Sequence, residues 1–226
     1  MPTTDPDPLA DSRRSLASGA SARIEEMILS GELKPGTRIN ESHLGTALRI
    51  SRAPVREALR RLERHGLVET KPNLGSFVVA LDARDVAELY DIRIALEELV
   101  GRRAAERLDA TRLARLDALL EVLATHVESG SSRDYYRANL DLHALIVAAA
   151  DSRHLTDAYA GVVKRLALYR IGSPASPVDM RASLAEHVAI VEALRRRDPT
   201  AAGRALADHC RSGYHRHFGT PAHETP

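Results

Sequence analysis

Apolar residues in this chain recur with a helical period up to His65. They alternate with a period of two from Leu67 to Val79, then return to the helical period for the rest of the sequence. A period of 3.6 matches one face of a helix and a period of two matches one face of a strand. The chain must therefore build a helical segment, one short hairpin and a long helical segment, in that order. Its fold class is mainly α.

The front segment divides at its turn residues. The pattern predicts a first helix over Ser15–Leu29, with Ile24, Met27 and Ile28 on one face. Gly31 ends it, and Lys34-Pro35-Gly36-Thr37 makes a turn. Asn40 is placed to cap a short helix over Glu41–Leu48, and Ser51 to cap a third over Arg52–His65. Pro54 falls in the first turn of that third helix, where a missing N–H is harmless. Strands are expected over Leu67–Thr70 and Ser76–Val79, joined by Pro72-Asn73-Leu74-Gly75. Three helices followed by a hairpin is the order of a winged helix-turn-helix, a DNA-binding arrangement.

The third helix carries two opposed stripes. Val55, Ala58, Leu59 and Leu62 share one arc, and Arg52, Arg56, Arg60 and Arg64 form an i+4 ladder on another. Four guanidinium groups on one face repel one another unless an anion is near, and arginine suits guanine edges and phosphates. A solvated arginine face, partly neutralised by Glu57 and Glu63, is the alternative. Residues 13–80 hold twelve basic against seven acidic side chains, a surplus of five, whereas the whole chain carries only +1. The front is thus basic and the rear mildly acidic, as expected if only the front meets a polyanion.

From Leu81 onward no strand pattern occurs. Helices are expected over Ala83–Leu108, Ala110–Ser129, Arg133–Ala150, His154–Ile171, Arg181–Arg197 and Thr200–His217, with Asp82, Asp109, Ser152 and Asp198 near their starts as caps. The one clear loop is Gly172-Ser173-Pro174-Ala175-Ser176-Pro177. Six helices with short connections imply an antiparallel bundle. The expected organisation is a tail over 1–11, a winged helix-turn-helix domain over 12–80, a helical domain over 81–218, and a tail over 219–226.

The absence of a run of about 18 apolar residues argues against a membrane span. The start of the chain carries neither a basic cluster nor an apolar core, so no secretory signal is expected. A lone cysteine, Cys210, fits a reducing compartment. These readings point to a cytoplasmic protein.

Chemistry is concentrated in three of the ten histidines. His143 lies one turn after Asn139, and His187 and His209 lie on the last two helices, either side of Asp198-Pro199. His187 precedes Pro199 by about 18 Å of helix and His209 follows it by about 15 Å. Antiparallel packing would put both imidazoles at one level. Three imidazoles converging in a bundle form a site for zinc, nickel, copper or iron. Separate burial of each histidine in the core is the alternative. Arg165 and Tyr169, on the fourth helix of this domain, are further candidate site residues that face a possible cavity.

The run Ser30-Gly31-Glu32-Leu33-Lys34-Pro35-Gly36-Thr37 resembles the start of a GntR-family DNA-binding domain. So do Ser51-Arg52-Ala53-Pro54-Val55-Arg56-Glu57-Ala58-Leu59-Arg60-Arg61-Leu62, Gly66-Leu67-Val68 and Pro72-Asn73-Leu74-Gly75-Ser76-Phe77-Val78. The resemblance implies that Ser51, Arg52, Pro54 and Arg56 sit at the groove-reading end of the recognition helix, with Arg60 farther along the ladder. It makes Gly75 the wing tip, two residues after Asn73. Ser42 stands where some members carry a DNA-contacting arginine and Leu74 where the wing often has one, which implies a weaker phosphate grip or a different operator.

Tyr90-Asp91-Ile92-Arg93-Ile94-Ala95-Leu96-Glu97, Asp141-Leu142-His143, Glu186-His187 and the spacing to His209 resemble the FCD ligand domain of the FadR-like subfamily. That resemblance implies a divalent metal, zinc or another transition metal such as nickel, held by Asn139, His143, His187 and His209. Asn139 replaces the commoner Asp. The resemblance also implies that Arg93 contacts a small carboxylate effector, with Glu97 as its alternative partner.

The function these features imply is a homodimeric transcriptional regulator, a repressor, that binds a palindromic DNA operator and responds to a small organic acid. It would not be an enzyme. Two alternatives rest on the same histidines: a metal-dependent hydrolase with Glu186 or Asp141 as base, and a metal that only staples the fold.

Overall fold

A computed structural model of the chain describes residues 8–170 and 177–218, with side chains for residues 15–169 and 179–218. The expected tails and the 172–177 loop lie outside these residues, except that residues 8–11 and Pro177 are helical. Two compact units emerge, Met1–Val86 with Val163–Ile171, and Ala87–Val162 with Gly172–Pro226.

In the first unit α1 (Pro8–Leu29), α2 (Glu41–Leu48) and α3 (Arg52–Arg64) precede β1 (Val68–Lys71) and β2 (Gly75–Val78). The first helix begins seven residues earlier than its apolar pattern indicates, because proline is tolerated at a helix start. Asn40 caps α2 by accepting from the backbone N–H groups of Ser42 and His43. Ser51 precedes α3 in extended conformation, but its hydroxyl makes no cap hydrogen bond, contrary to expectation. The apolar arc of α3 is fully inside: Val55, Ala58, Leu59 and Leu62 pack with Ile24, Ile28, Leu44, Leu67 and Val78 in one core.

The hairpin pairs Val68 with Val78 and Lys71 with Gly75. Between them the Leu74 N–H donates to the Lys71 carbonyl at 3.0 Å. Pro72 takes the second place of this turn and Asn73 the third, with φ +60°. This is the type II pattern, which requires proline-compatible then left-handed backbone. Residues 37–39 add an edge that the periodicity did not reveal. Ile39 N–H donates to Ser76 O at 2.8 Å and Val78 N–H to Thr37 O at 3.0 Å.

Among the described residues six further helices follow: α4 (Ala83–Arg107), α5 (Ala110–Ser129), α6 (Ser132–Ala149), α7 (Arg153–Arg170), α8 (Pro177–Arg195) and α9 (Pro199–Phe218). Asp82 and Asp85 cap α4 reciprocally, each accepting from the other's backbone N–H. Asp109 caps α5 and Asp198 caps α9, where Pro199 opens the first turn. In the second unit α5 packs on α6 and α8, and α8 on α9. Its core is aliphatic, with Leu116, Leu123, Leu142, Ile146, Ile190, Leu194 and Leu206 buried. Helices α4 and α9 meet at two glycines. A methyl group at Gly101 would lie 2.5 Å from Ala202 O, and one at Gly203 would lie 2.8 Å from Glu98 O. Only residues without Cβ allow this approach.

Candidate metal centre and nucleic-acid interface

The arginine ladder of α3 is exposed over its whole length, as are Ser51, Asn73 and Gly75; Pro54 is half-buried. Burial of the opposite stripe forces this, since a helix cannot turn one face inward without presenting the other. Arg56 Nε lies 3.2 Å from Glu41 and Arg60 Nη1 lies 3.7 Å from Glu57, both partly exposed pairs that a stronger anion can replace. Arg38 is a basic residue whose place the sequence did not indicate. The edge formed by residues 37–39 sets it beside the hairpin, with Nε 3.5 Å from where a Cβ on Gly75 would stand.

In the second unit, α6 carries His143, α8 carries His187 and α9 carries His209, all buried. The turn at Asp198-Pro199 reverses the chain, and the rings of His187 and His209 come to 4.3 Å between centroids. His143 Nε2 lies 3.2 Å from His187 Nε2 and 3.3 Å from His209 Nε2. Asn139, one turn before His143, is half-buried.

The outer nitrogens set the chemistry. His209 Nδ1 lies 2.7 Å from Glu186 Oε2. An ionised carboxylate only accepts, so Nδ1 carries the proton and a neutral His209 turns a lone pair inward. Burial pushes His187 well below the usual histidine range, and its neighbours His209 and His143 push it the same way. Burial also lowers His209, against the opposing pull of Glu186. Three inner nitrogens crowded at one point cannot all be satisfied by one another. They fit a borderline cation, which accepts several nitrogen lone pairs at once.

Beside them lies a buried charge pair. Arg93 donates from Nε and Nη2 to Glu97 Oε1 at 3.3 and 3.2 Å, and the Tyr159 hydroxyl donates to the same oxygen at 2.9 Å. His143 Nδ1 is 3.6 Å from it, beyond hydrogen-bond reach. Burial pushes the Glu97 carboxyl up, but His143 and Arg93 outweigh that and hold it at about 2. Burial and the Glu97 charge raise Tyr159 well above the usual tyrosine value, so it stays a neutral donor. Glu97 Oε2, His143 Nδ1 and His187 Nδ1 are buried without hydrogen-bond partners.

Of the residues expected at this site, the three histidines come together and Arg93 stands beside them through Glu97. Arg165 and Tyr169 instead fall in the first unit. Arg165 packs on Gly66, its Cδ 2.9 Å from where a Cβ would be, and the tyrosine beside the histidines is Tyr159. The bases required for hydrolysis are badly placed. Glu186 is engaged by His209 and by Arg216, and Asp141 is on the exposed face of α6. Among the described residues no helix is long and apolar enough to cross a membrane.

Residues 16–78 match the family model for bacterial regulatory proteins of the gntR family, and residues 88–212 match that of the FCD domain. The HTH-type transcriptional regulator YdhC of Bacillus subtilis is 32% identical, over 83% of this chain and 84% of that protein. The HTH-type transcriptional repressor RspR of Escherichia coli is 30% identical over 78% of each. The solved structure of McbR/YncC from Escherichia coli shares the fold, with a TM-score of 0.71 at 24% identity over 88% of this chain and 94% of that one.

Proposed function

The chain belongs to the GntR family of bacterial regulatory proteins and carries an FCD domain, so it is a transcriptional regulator, and we propose that it is a homodimeric repressor whose grip on DNA is controlled by a small carboxylate bound with a divalent metal. The observation that carries the sensing half is the convergence of His143, His187 and His209 Nε2 beside the buried Arg93–Glu97 pair.

On the DNA side, Ser51, Arg52, Pro54 and Arg56 enter the major groove, and Arg60, Asn73 and Gly75 meet the backbone. Exposed arginines on a helix backed by an aliphatic core give bidentate contacts to guanine or phosphate. Self-association is supported by Ile92 and Leu99, two turns apart on α4 and 51% and 47% exposed. A two-fold dimer reads a two-fold operator.

On the sensing side, His143, His187 and His209 would hold the metal, and the Asn139 amide oxygen would be a further ligand. A bound divalent cation would supply a positive, oxygen-seeking centre near the Arg93 guanidinium, which reaches the histidines through Glu97. Arg93 uses Nε and Nη2 on Glu97, so Nη1 remains for a ligand carboxylate. Tyr159 donates to the same Glu97 oxygen and so helps to orient that carboxylate. The coupling to DNA is the difference in effector affinity between dimer states that do and do not fit the operator.

The test is a mobility-shift titration of zinc-loaded and zinc-stripped protein on the DNA upstream of its own gene, repeated with a panel of small mono- and dicarboxylates. The reading expects one acid to release the zinc-loaded protein and to act weakly on the stripped form. A panel without effect on either form contradicts it.

A further inference from the structure

The three histidines differ on their outer side. His143 and His187 have no hydrogen bond at Nδ1, whereas His209 Nδ1 meets Glu186 Oε2 at 2.7 Å. Glu186 belongs to α8, immediately before His187, so it reaches across to α9 rather than toward the ligand cluster. There it is clamped. Arg216 Nη1 donates to Oε1 at 2.7 Å and Nη2 to Oε2 at 2.9 Å. Arg216 lies seven residues beyond His209, two helical turns, so both approach Glu186 from one face of α9.

This arrangement does three things. The carboxylate fixes the Nδ1–H tautomer of His209, which turns the Nε2 lone pair toward the other histidines. Its charge raises the donor strength of that nitrogen, as outer carboxylates do for metal-bound imidazoles. The two-pronged guanidinium holds both oxygens of Glu186, so the carboxylate cannot swing inward to become a ligand itself.

We propose that Glu186, clamped by Arg216, is a positioning residue that fixes His209 for metal binding and so sets the metal affinity of the cluster from the last turn of α9. This rests on the reading of the three histidines as a metal centre.

The test uses the full chain and metal ions alone. Zinc affinity is measured by competition with a chromogenic chelator, and Co²⁺ loading by its visible ligand-field bands. Circular dichroism of the metal-free proteins reports the fold. Glu186→Ala is expected to lose about 10–100-fold in zinc affinity and to shift the Co²⁺ bands. Arg216→Ala is expected to change both in the same direction. Glu186→Gln keeps an acceptor oxygen and the side-chain volume, so it should recover part of the loss and decides the matter if the alanine variant does not fold. Wild-type affinity and unshifted bands in both Glu186 variants overturn the positioning role while leaving the metal centre intact. A wild-type chain without zinc affinity, or a His187→Ala variant that keeps it, overturns the metal reading itself.

Discussion

His143 and His187 are 44 residues apart and on different helices, yet their Nε2 atoms stand 3.2 Å from one another in the core. Two imidazole nitrogens at that distance need a proton or a cation between them, and His209 brings a third nitrogen to the same point. One proton can join only two of these three nitrogens, whereas a cation can take a lone pair from each.

Replacing His187 by alanine should therefore abolish stoichiometric metal in the purified chain, measured by elemental analysis. It should also remove the rise in melting temperature on zinc addition, since a ligand that binds only the folded state stabilises it by mass action. Full metal occupancy in this variant would refute the ligand assignment.

Arg56→Ala should weaken operator binding by about 1–3 kcal/mol and leave thermal stability nearly unchanged. The side chain is exposed and its pairing with Glu41 is partly solvated. Surface pairs of this kind contribute about 0.2–1 kcal/mol at most. Anisotropy titrations and melting curves on one preparation separate the two effects.

Arg93 is only 12% exposed and balances a fully buried Glu97. Arg93→Ala leaves that carboxylate uncompensated and should cost about 3–5 kcal/mol of stability. Arg93→Lys retains the charge without the fork. The lysine variant should fold and bind operator DNA but need a much higher effector concentration for release. A normal effector response in Arg93→Lys would remove this side chain from the ligand site.

Gly101→Ala places a methyl group against the Ala202 carbonyl, a backbone atom that cannot move aside cheaply. Overpacking of this type costs about 1–3 kcal/mol. Denaturant unfolding should show the loss, and DNA affinity per folded molecule should stay the same.

What could be read from the sequence follows from how local the cause is. The α3 arc, the Pro72-Asn73 turn and the caps Asn40, Asp82, Asp109 and Asp198 depend on neighbours within one or two turns, and each occurs where the pattern places it. The alignment of His187 with His209 was also legible, because a short turn between two helices fixes their relative level. Residues that act through other helices were not. Tyr159 meets Glu97 across 62 positions, and Arg216 meets Glu186 across 30, with no periodic signature for either. The edge at residues 37–39 is too short to show alternation, which hid the placement of Arg38. Arg165 and Tyr169 share a helix with Tyr159, but the helix continues into the first unit before reaching them. Spacing along one helix could not reveal that.

The account depends above all on the exposed arginine face of α3 gripping duplex DNA. The direct measurement is equilibrium binding of the zinc-loaded chain to the DNA upstream of its own gene between about 50 and 200 mM salt, a range over which several phosphate contacts weaken binding steeply. The account predicts tight, saturable binding at low salt, a linear fall of log affinity with log salt, and a shallower slope for Arg56→Ala. Absence of salt-sensitive binding to this or any other genomic fragment would contradict it.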